Sequence, residues 1–346
     1  WGTNKIIIDS NGLNYQGNPD TYTVEYTTDG QSLNIVYSDA TKGWLPLEDD
    51  VTALEPVAPP TQKGIFGYGT TGSYVSMSNL VNSSGVVAAD VTGVGTARGV
   101  LGASSYGGDK AIFGYGHTGS NVSMTNLVSN SGVVASDVTG VGTARYSLAA
   151  ASYGTDKAIF GYGYVSGAVS MTNLVNNSGV VSADVTGVGT ARYALAAASY
   201  GGDKAIFGYG TSGTVVSLTN LVSNSGVVAT DTTGVGTARS DLAAASYGTD
   251  KAIFGYGYTG SANVSISNLV NNSGVVASDV TGVGTARYGP AACGYGGDKA
   301  IFGYGNTGSY VSMTNLVSNS GVVATDTTGV GTARSYPAAA GFSLSA

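Results

Sequence analysis

Asp109-Lys110-Ala111-Ile112-Phe113-Gly114-Tyr115-Gly116 returns almost letter for letter as residues 156–163, 203–210, 250–257 and 298–305. A first copy, Lys63-Gly64-Ile65-Phe66-Gly67-Tyr68-Gly69, lacks the leading Asp and has Gly64 in place of the Ala. The lysines fall at 63, 110, 157, 204, 251 and 299, a period of 47 residues with one step of 48. Six copies of a unit this long, rich in Gly and β-formers, point to a propeller or a solenoid.

Written from its Arg, one unit runs Arg192-Tyr193-Ala194-Leu195-Ala196-Ala197-Ala198-Ser199-Tyr200, then the turn Gly201-Gly202-Asp203, then Lys204-Ala205-Ile206-Phe207-Gly208-Tyr209-Gly210. A loop leads to Val216–Val222, the turn Asn224-Ser225-Gly226, a short Val227-Val228-Ala229 run and a Gly-rich connection. That pattern predicts four short strands with turn chemistry between them and no helical period. The Ala-rich strand is expected innermost, where only small side chains fit near a narrow axis. The Ile-Phe pair then packs between blades.

The order of Arg, small-residue strand, turn and apolar strand ending in glycines resembles the kelch repeat over residues 63–346. The sequence departs from kelch where Tyr splits the double glycine, where Leu127 and Leu174 stand for the third-strand Tyr, and where the fourth-strand Trp is missing. The resemblance implies a ring. The first unit lacks its Arg strand, and the chain finishes with an orphan one, Arg334 to Phe342, which would complete it. An open solenoid would call for polar capping repeats, and none is visible. The expectation is an all-β chain: a six-bladed β-propeller with four-stranded blades, closed by the C-terminal strand, behind a small β module.

That module spans residues 1–50. Lys5-Ile6-Ile7-Ile8 precedes Asn11-Gly12, a hairpin signal. Tyr22–Tyr26 and Ser32–Tyr37 alternate, with a turn at Thr28-Asp29-Gly30-Gln31. So small a piece buries little surface and calls for a partner. Trp44 reads as its core anchor, and Trp44 with Tyr37 as an assembly interface. Residues 51–62, with Pro56, Pro59 and Pro60, read as a semi-rigid spacer. Trp1 is not a natural start, and upstream sequence is expected.

Composition excludes several functions. Only 10% of the 346 residues are charged, against roughly 25% in ordinary globular chains. With a net charge of −7 and no basic run, nucleic-acid binding is not expected. No apolar run is long enough for a spanning helix, so no membrane insertion is expected. A single Cys293 and a single His117 cannot assemble a zinc site, a His triad or a Cys–His dyad. Cys293 stands for an Ala and reads as a small core residue. One Asp per unit (90, 137, 184, 231, 279, 326) does not make a calcium loop. Every array Asp recurs in register except Asp241, and no Glu follows Glu55, so catalysis, metal and cofactor are not expected.

The repeated Asp-Lys pairs read as a turn Asp before a strand-edge Lys, rather than a charged ring. Arg98, Arg145, Arg192, Arg239, Arg287 and Arg334 could line an anion pocket, but are expected to bond carbonyls or an Asp such as Asp137 or Asp184. The Asn-X-Ser triplets at Asn82, Asn121, Asn176, Asn263 and Asn271 are at chance level in so Asn- and Ser-rich a chain.

Two short windows differ between units. One follows Gly-Tyr-Gly and contains Tyr74, His117, Tyr164, Tyr258 and Tyr310; the other follows the Arg and contains Tyr146, Tyr193, Ser240-Asp241, Tyr288 and Ser335-Tyr336. Tyrosines at loops suit sugars or proteins by stacking and hydroxyl bonding; plain drift at tolerant positions is the alternative. The stretch Tyr37-Ser38-Asp39-Ala40-Thr41-Lys42-Gly43-Trp44 resembles attachment segments of tailed-bacteriophage structural proteins, and the repeats resemble phage fibre or capsid-appendage sequences. The resemblance implies a non-enzymatic virion or extracellular protein. It would join other virion or filament proteins through residues 1–50, in an oligomeric assembly, and show its propeller to a host glycan or protein. A secreted lectin and a purely structural capsid or filament protein are the rival readings.

Overall fold

The structure is a computed structural model of the chain and describes residues 6–27, 32–47, 53–56 and 61–345. The chain divides into two compact units, Trp1–Pro59 and Pro60–Ala346. The described residues form no helix. All their sheets are small and antiparallel, with two or three strands, and no sheet closes on itself.

In the first unit, β1 (Ile6–Ile8) and β5 (Ala53–Pro56) flank β2 (Tyr22–Tyr26), while β3 (Ile35–Asp39) pairs with β4 (Gly43–Pro46). Asn11-Gly12 turns with φ of 54° and 80°. It does not join two paired strands, because β1 pairs with β2 beyond a long loop. Ser10 hydroxyl bonding to Leu13 O and to the Asp20 carboxylate closes that loop on itself. Part of the segment read as a spacer is β5, which takes the free edge of β2. Pro59 and Pro60 and the turn expected at residues 28–31 lie outside the described residues. Tyr15, Val24 and Tyr26 make the core, with Tyr15 and Tyr26 hydroxyls 2.6 Å apart. Trp44 is half-buried against this core, and Tyr37 lies edge-on to it at 5.5 Å, 47% exposed.

The second unit holds six three-stranded sheets. Five are consecutive: β8 (Gly102–Tyr106), β9 (Lys110–Gly114) and β10 (Thr125–Val128); β11 (Ala149–Tyr153), β12 (Lys157–Gly161) and β13 (Thr172–Val175); β14 (Ala196–Tyr200), β15 (Lys204–Gly208) and β16 (Thr219–Val222); β17 (Ala243–Tyr247), β18 (Lys251–Gly255) and β19 (Ser267–Val270); β20 (Ala291–Tyr295), β21 (Lys299–Gly303) and β22 (Thr314–Val317). The sixth joins the two ends of the array: β6 (Lys63–Gly67) lies between β7 (Ser78–Val81) and the last strand, β23 (Ala338–Phe342).

The first strands stand side by side, β8 beside β11, then β14, β17, β20 and β23, and β23 beside β8. Their Ala, Gly and Ser side chains permit this approach. The Ile and Phe of each middle strand are fully buried, which contributes about 1.5–3 kcal/mol per side chain. Each Phe reaches the preceding unit. A Cβ on Gly161 would lie 2.6 Å from Cζ of Phe207, and one on Gly303 would lie 2.8 Å from Cζ of Phe66. Only glycine leaves that room, which is why the middle strand ends in one.

Four strands per unit were expected, and the fourth is not a strand. It touches the third at two isolated bridges, Val81↔Val87 and Ser78↔Val91 in the first unit. Their registers differ by one residue, and a buried side chain explains the bulge. Asn79 turns into the gap and donates to Ala88 O (3.0 Å) and to Asp90 Oδ1 (2.9 Å). The same Asn recurs at 126, 173, 220, 268 and 315.

Candidate functional site

The Arg residues are structural. Arg192 is fully buried. Its Nε donates to Tyr209 O (2.9 Å), Nη1 to Thr190 O (3.2 Å) and Nη2 to Asn220 Oδ1 (2.6 Å), while the guanidinium lies 4.4 Å from the Tyr162 ring of the preceding unit. The other five repeat this stacking at 4.0–4.4 Å. The stacked Tyr is the one that splits the two glycines. It takes φ near 63°, a strained value for a side-chain-bearing residue, and the buried ring recovers that strain under the guanidinium. The recurring Asp is also structural. Burial disfavours the Asp184 charge, yet hydrogen bonds from Thr143 and Asn173 outweigh it and hold the carboxyl below its ordinary value. Each Asp-Lys pair is a local, part-exposed ion pair, as at Lys110–Asp109 (2.7 Å).

The Arg strand begins later than expected, at Ala196 rather than near Arg192. The delay comes from the second residue after each Arg, which takes a positive φ: Val100, Ser147, Ala194, Asp241, Gly289 and Tyr336, at 51–60°. These six form a ring of backbone hydrogen bonds. Ser147 N donates to Val100 O (2.9 Å), Ala194 N to Ser147 O, Asp241 N to Ala194 O, Gly289 N to Asp241 O, and Tyr336 N to Gly289 O, each at 2.8 Å. Val100 N closes it on Tyr336 O at 3.4 Å. Below the ring, Leu101, Leu148, Leu195, Leu242, Pro290 and Pro337 form an apolar collar around a cavity of about 80 Å³.

Above the ring opens a depression of about 540 Å³. Ring residues Val100, Ser147, Ala194, Asp241 and Tyr336 are on its floor, and Tyr74, Tyr146 and Tyr193 with Thr70 and Ser73 line it. The two variable windows meet here. Tyr146 bridges Tyr164, Gly99 bridges His117 and Tyr193 bridges Thr211. The rings of Tyr74, His117, Tyr146, Tyr164 and Tyr193 run as one edge-to-face series at 5.0–5.8 Å. Tyr74 Oη and His117 Nδ1 are 2.8 Å apart. No protein-family model matches the chain, and no curated protein sequence is significantly similar to it.

Of the eight residues singled out for ligand contact, Tyr74, Tyr146 and Tyr193 line the depression. His117 and Tyr164 stack beside them. Tyr258, Tyr288 and Tyr310 do not line it; Tyr258 and Tyr310 are each 36% exposed, and Tyr288 packs on Tyr336 at 5.9 Å. Asp241, which the sequence marked as out of register and variable but to which it gave no ligand role, also lines the depression. Its carboxyl lies on the floor, half-buried, and burial raises its pKa beyond what the Ser240 hydroxyl, donating at 3.0 Å, and the neighbouring Tyr336 hydroxyl offset. Burial, then the nearby Asp241 charge, pushes the Tyr336 phenol up in turn. The available signal was its failure to recur: it is the one array Asp out of register.

Proposed function

We propose that residues 61–345 are a closed six-bladed, kelch-like β-propeller serving as a non-enzymatic recognition module for sugars. The cyclic succession of first strands, the β23–β6 pairing and the six-residue ring on its axis support the closed reading. The observation that carries recognition is the depression on that axis, which collects tyrosines and hydroxyls from positions that vary between otherwise matching units. Aromatic faces beside hydroxyl groups suit the apolar faces and hydroxyls of sugar rings. A lining with a single acid and no paired base favours binding over turnover.

In this reading the protein is a phage-type fibre or capsid appendage on a virion or other extracellular particle. The first unit attaches it to other structural chains, and the depression faces the host. Glycan-array screening of the purified chain tests the recognition. Hits that vanish in a Tyr146→Ala, Tyr193→Ala double variant support it; an array without hits removes it. A structural role is the second reading, favoured by Val86, Val133, Val180, Val227, Val275 and Val322, one per unit and each 61–66% exposed.

A further inference from the structure

Asp241 differs in kind from the rest of the ring it sits in. The other five members are Val, Ser, Ala, Gly and Tyr. Among the described residues Asp241 has no ion-pair partner, and its polar side-chain neighbours are the Ser240 and Tyr336 hydroxyls. Arg239, two residues earlier, is committed elsewhere: to Tyr256 O (2.8 Å), Thr237 O (3.0 Å) and Asn268 Oδ1 (2.7 Å). An acid therefore lies at the bottom of an aromatic-lined well with no counter-charge, and a cation beside it would favour its ionised form.

Any ligand that fills the well excludes solvent from that carboxyl. A neutral ligand would bury the charge further and uncompensated, which opposes binding. A cationic group would neutralise it and would also be attracted to electron-rich tyrosine faces. A metal ion fits poorly, because the floor offers one acid where a metal needs several ligands, and among the described residues no cluster of three His, Cys, Asp or Glu exists. An organic ammonium needs only one carboxylate, hydroxyl acceptors and rings. Ser147, Thr70 and Ser73 supply hydroxyls, and Tyr74, Tyr146 and Tyr193 supply rings.

We propose that this well takes its ligand through a protonated amine, as an amino sugar presents, with the Asp241 carboxylate as counter-ion. The inference rests on the sugar-recognition reading and adds the charge of the ligand to it.

Ligand-observed NMR titration of the full chain at neutral pH tests both, with glucosamine, N-acetylglucosamine, glucose and ethanolamine as probes. Glucosamine is expected to bind about tenfold more tightly than glucose or N-acetylglucosamine. In Asp241→Asn that preference should vanish, because glucosamine loses its counter-ion while glucose no longer buries an unpaired charge, with folding checked by thermal melting. Tyr336→Phe, which keeps the carboxylate, should retain the preference. Equal binding of glucose and glucosamine, or a preference that survives Asp241→Asn, overturns the amine and leaves sugar recognition standing. Asp241-dependent ethanolamine binding with no sugar binding supports the amine and removes the sugar. Silence from all four probes removes both.

Discussion

In the backbone ring only Gly289 separates Tyr336 from Asp241: Gly289 N donates to Asp241 O and Tyr336 N donates to Gly289 O, each at 2.8 Å. The pair joins the strand that ends the array to the fifth unit. It also leaves a carboxylate with hydroxyl partners alone, so its pKa stays above the ordinary 3.8.

The sign of the resulting pH dependence follows. The folded state holds the Asp241 proton to higher pH than the unfolded chain, so this group lowers stability as pH rises above 3.8. Asp241→Asn should therefore melt higher than wild type at pH 7, by about 1 kcal/mol of stability. At pH 3 the two proteins should melt alike. A lower melting temperature for the variant at pH 7 would contradict the burial argument.

The six recurring Asp residues act in the opposite direction. Asp90, Asp137, Asp184, Asp231, Asp279 and Asp326 all titrate below 3.8, held there by Thr and Asn donors. Their contribution is present above that value and lost as pH falls through the folded pKa. Calorimetric scans should show the melting temperature dropping steeply below about pH 4, and less steeply in Asp184→Asn.

Arg192→Ala should cost about 3–5 kcal/mol in urea unfolding. The substitution strands Tyr209 O and Asn220 Oδ1 and uncovers the Tyr162 ring. Arg192→Lys should not restore the loss, because a point charge cannot replace a planar fork that also stacks. A loss under about 1 kcal/mol for Arg192→Ala would mean the stack is incidental.

Two glycines in one unit should behave oppositely. Gly161→Ala drives a methyl to 2.6 Å from Phe207 and should destabilise by about 1–3 kcal/mol. Gly167→Ala meets nothing within 4 Å and should be neutral or stabilising by up to about 1 kcal/mol. Chemical denaturation of both variants makes the comparison.

Removing residues 338–346 should abolish cooperative folding of the array. The deletion strips β6 of its five-residue partner and takes Ala338, Ala340 and Phe342 out of the adjoining core. A truncated protein that still melts in one sharp transition would refute closure through this strand.

Much of the array was legible in the residues. The period, the Ile-Phe core strand, the Ala strand and its turn, and the pairing of the orphan C-terminal strand all follow from local pattern repeated in register. The fourth strand was not legible, because Val227-Val228-Ala229 has strand chemistry. What breaks it is Asn220, a neighbour in space that inserts its amide and bonds Ala229 O and Asp231 Oδ1. The first unit was less legible, since β5 pairs with β2 from a stretch whose prolines suggested a spacer.

The candidate site divides the same way. Variation between units marked Tyr74, Tyr146 and Tyr193 as positions free of the repeat's packing duties. The same criterion marked Tyr258, Tyr288 and Tyr310, which do not line the depression. Which variable positions converge depends on how the units are placed around the ring, and no window of sequence contains that.

The repeat by itself determined the three paired strands and their turns, because strand, turn and glycine requirements are local and act identically in every copy. Only the tertiary structure decided the rest. Positive φ at the second residue after each Arg brings six residues, each about one repeat from the next, into a single hydrogen-bonded ring. Burial then changes the meaning of one of them: Asp241 in the sequence is an ordinary acid out of register, and on the floor of the well it is an acid whose charge burial disfavours and that has no ion-pair partner among the described residues.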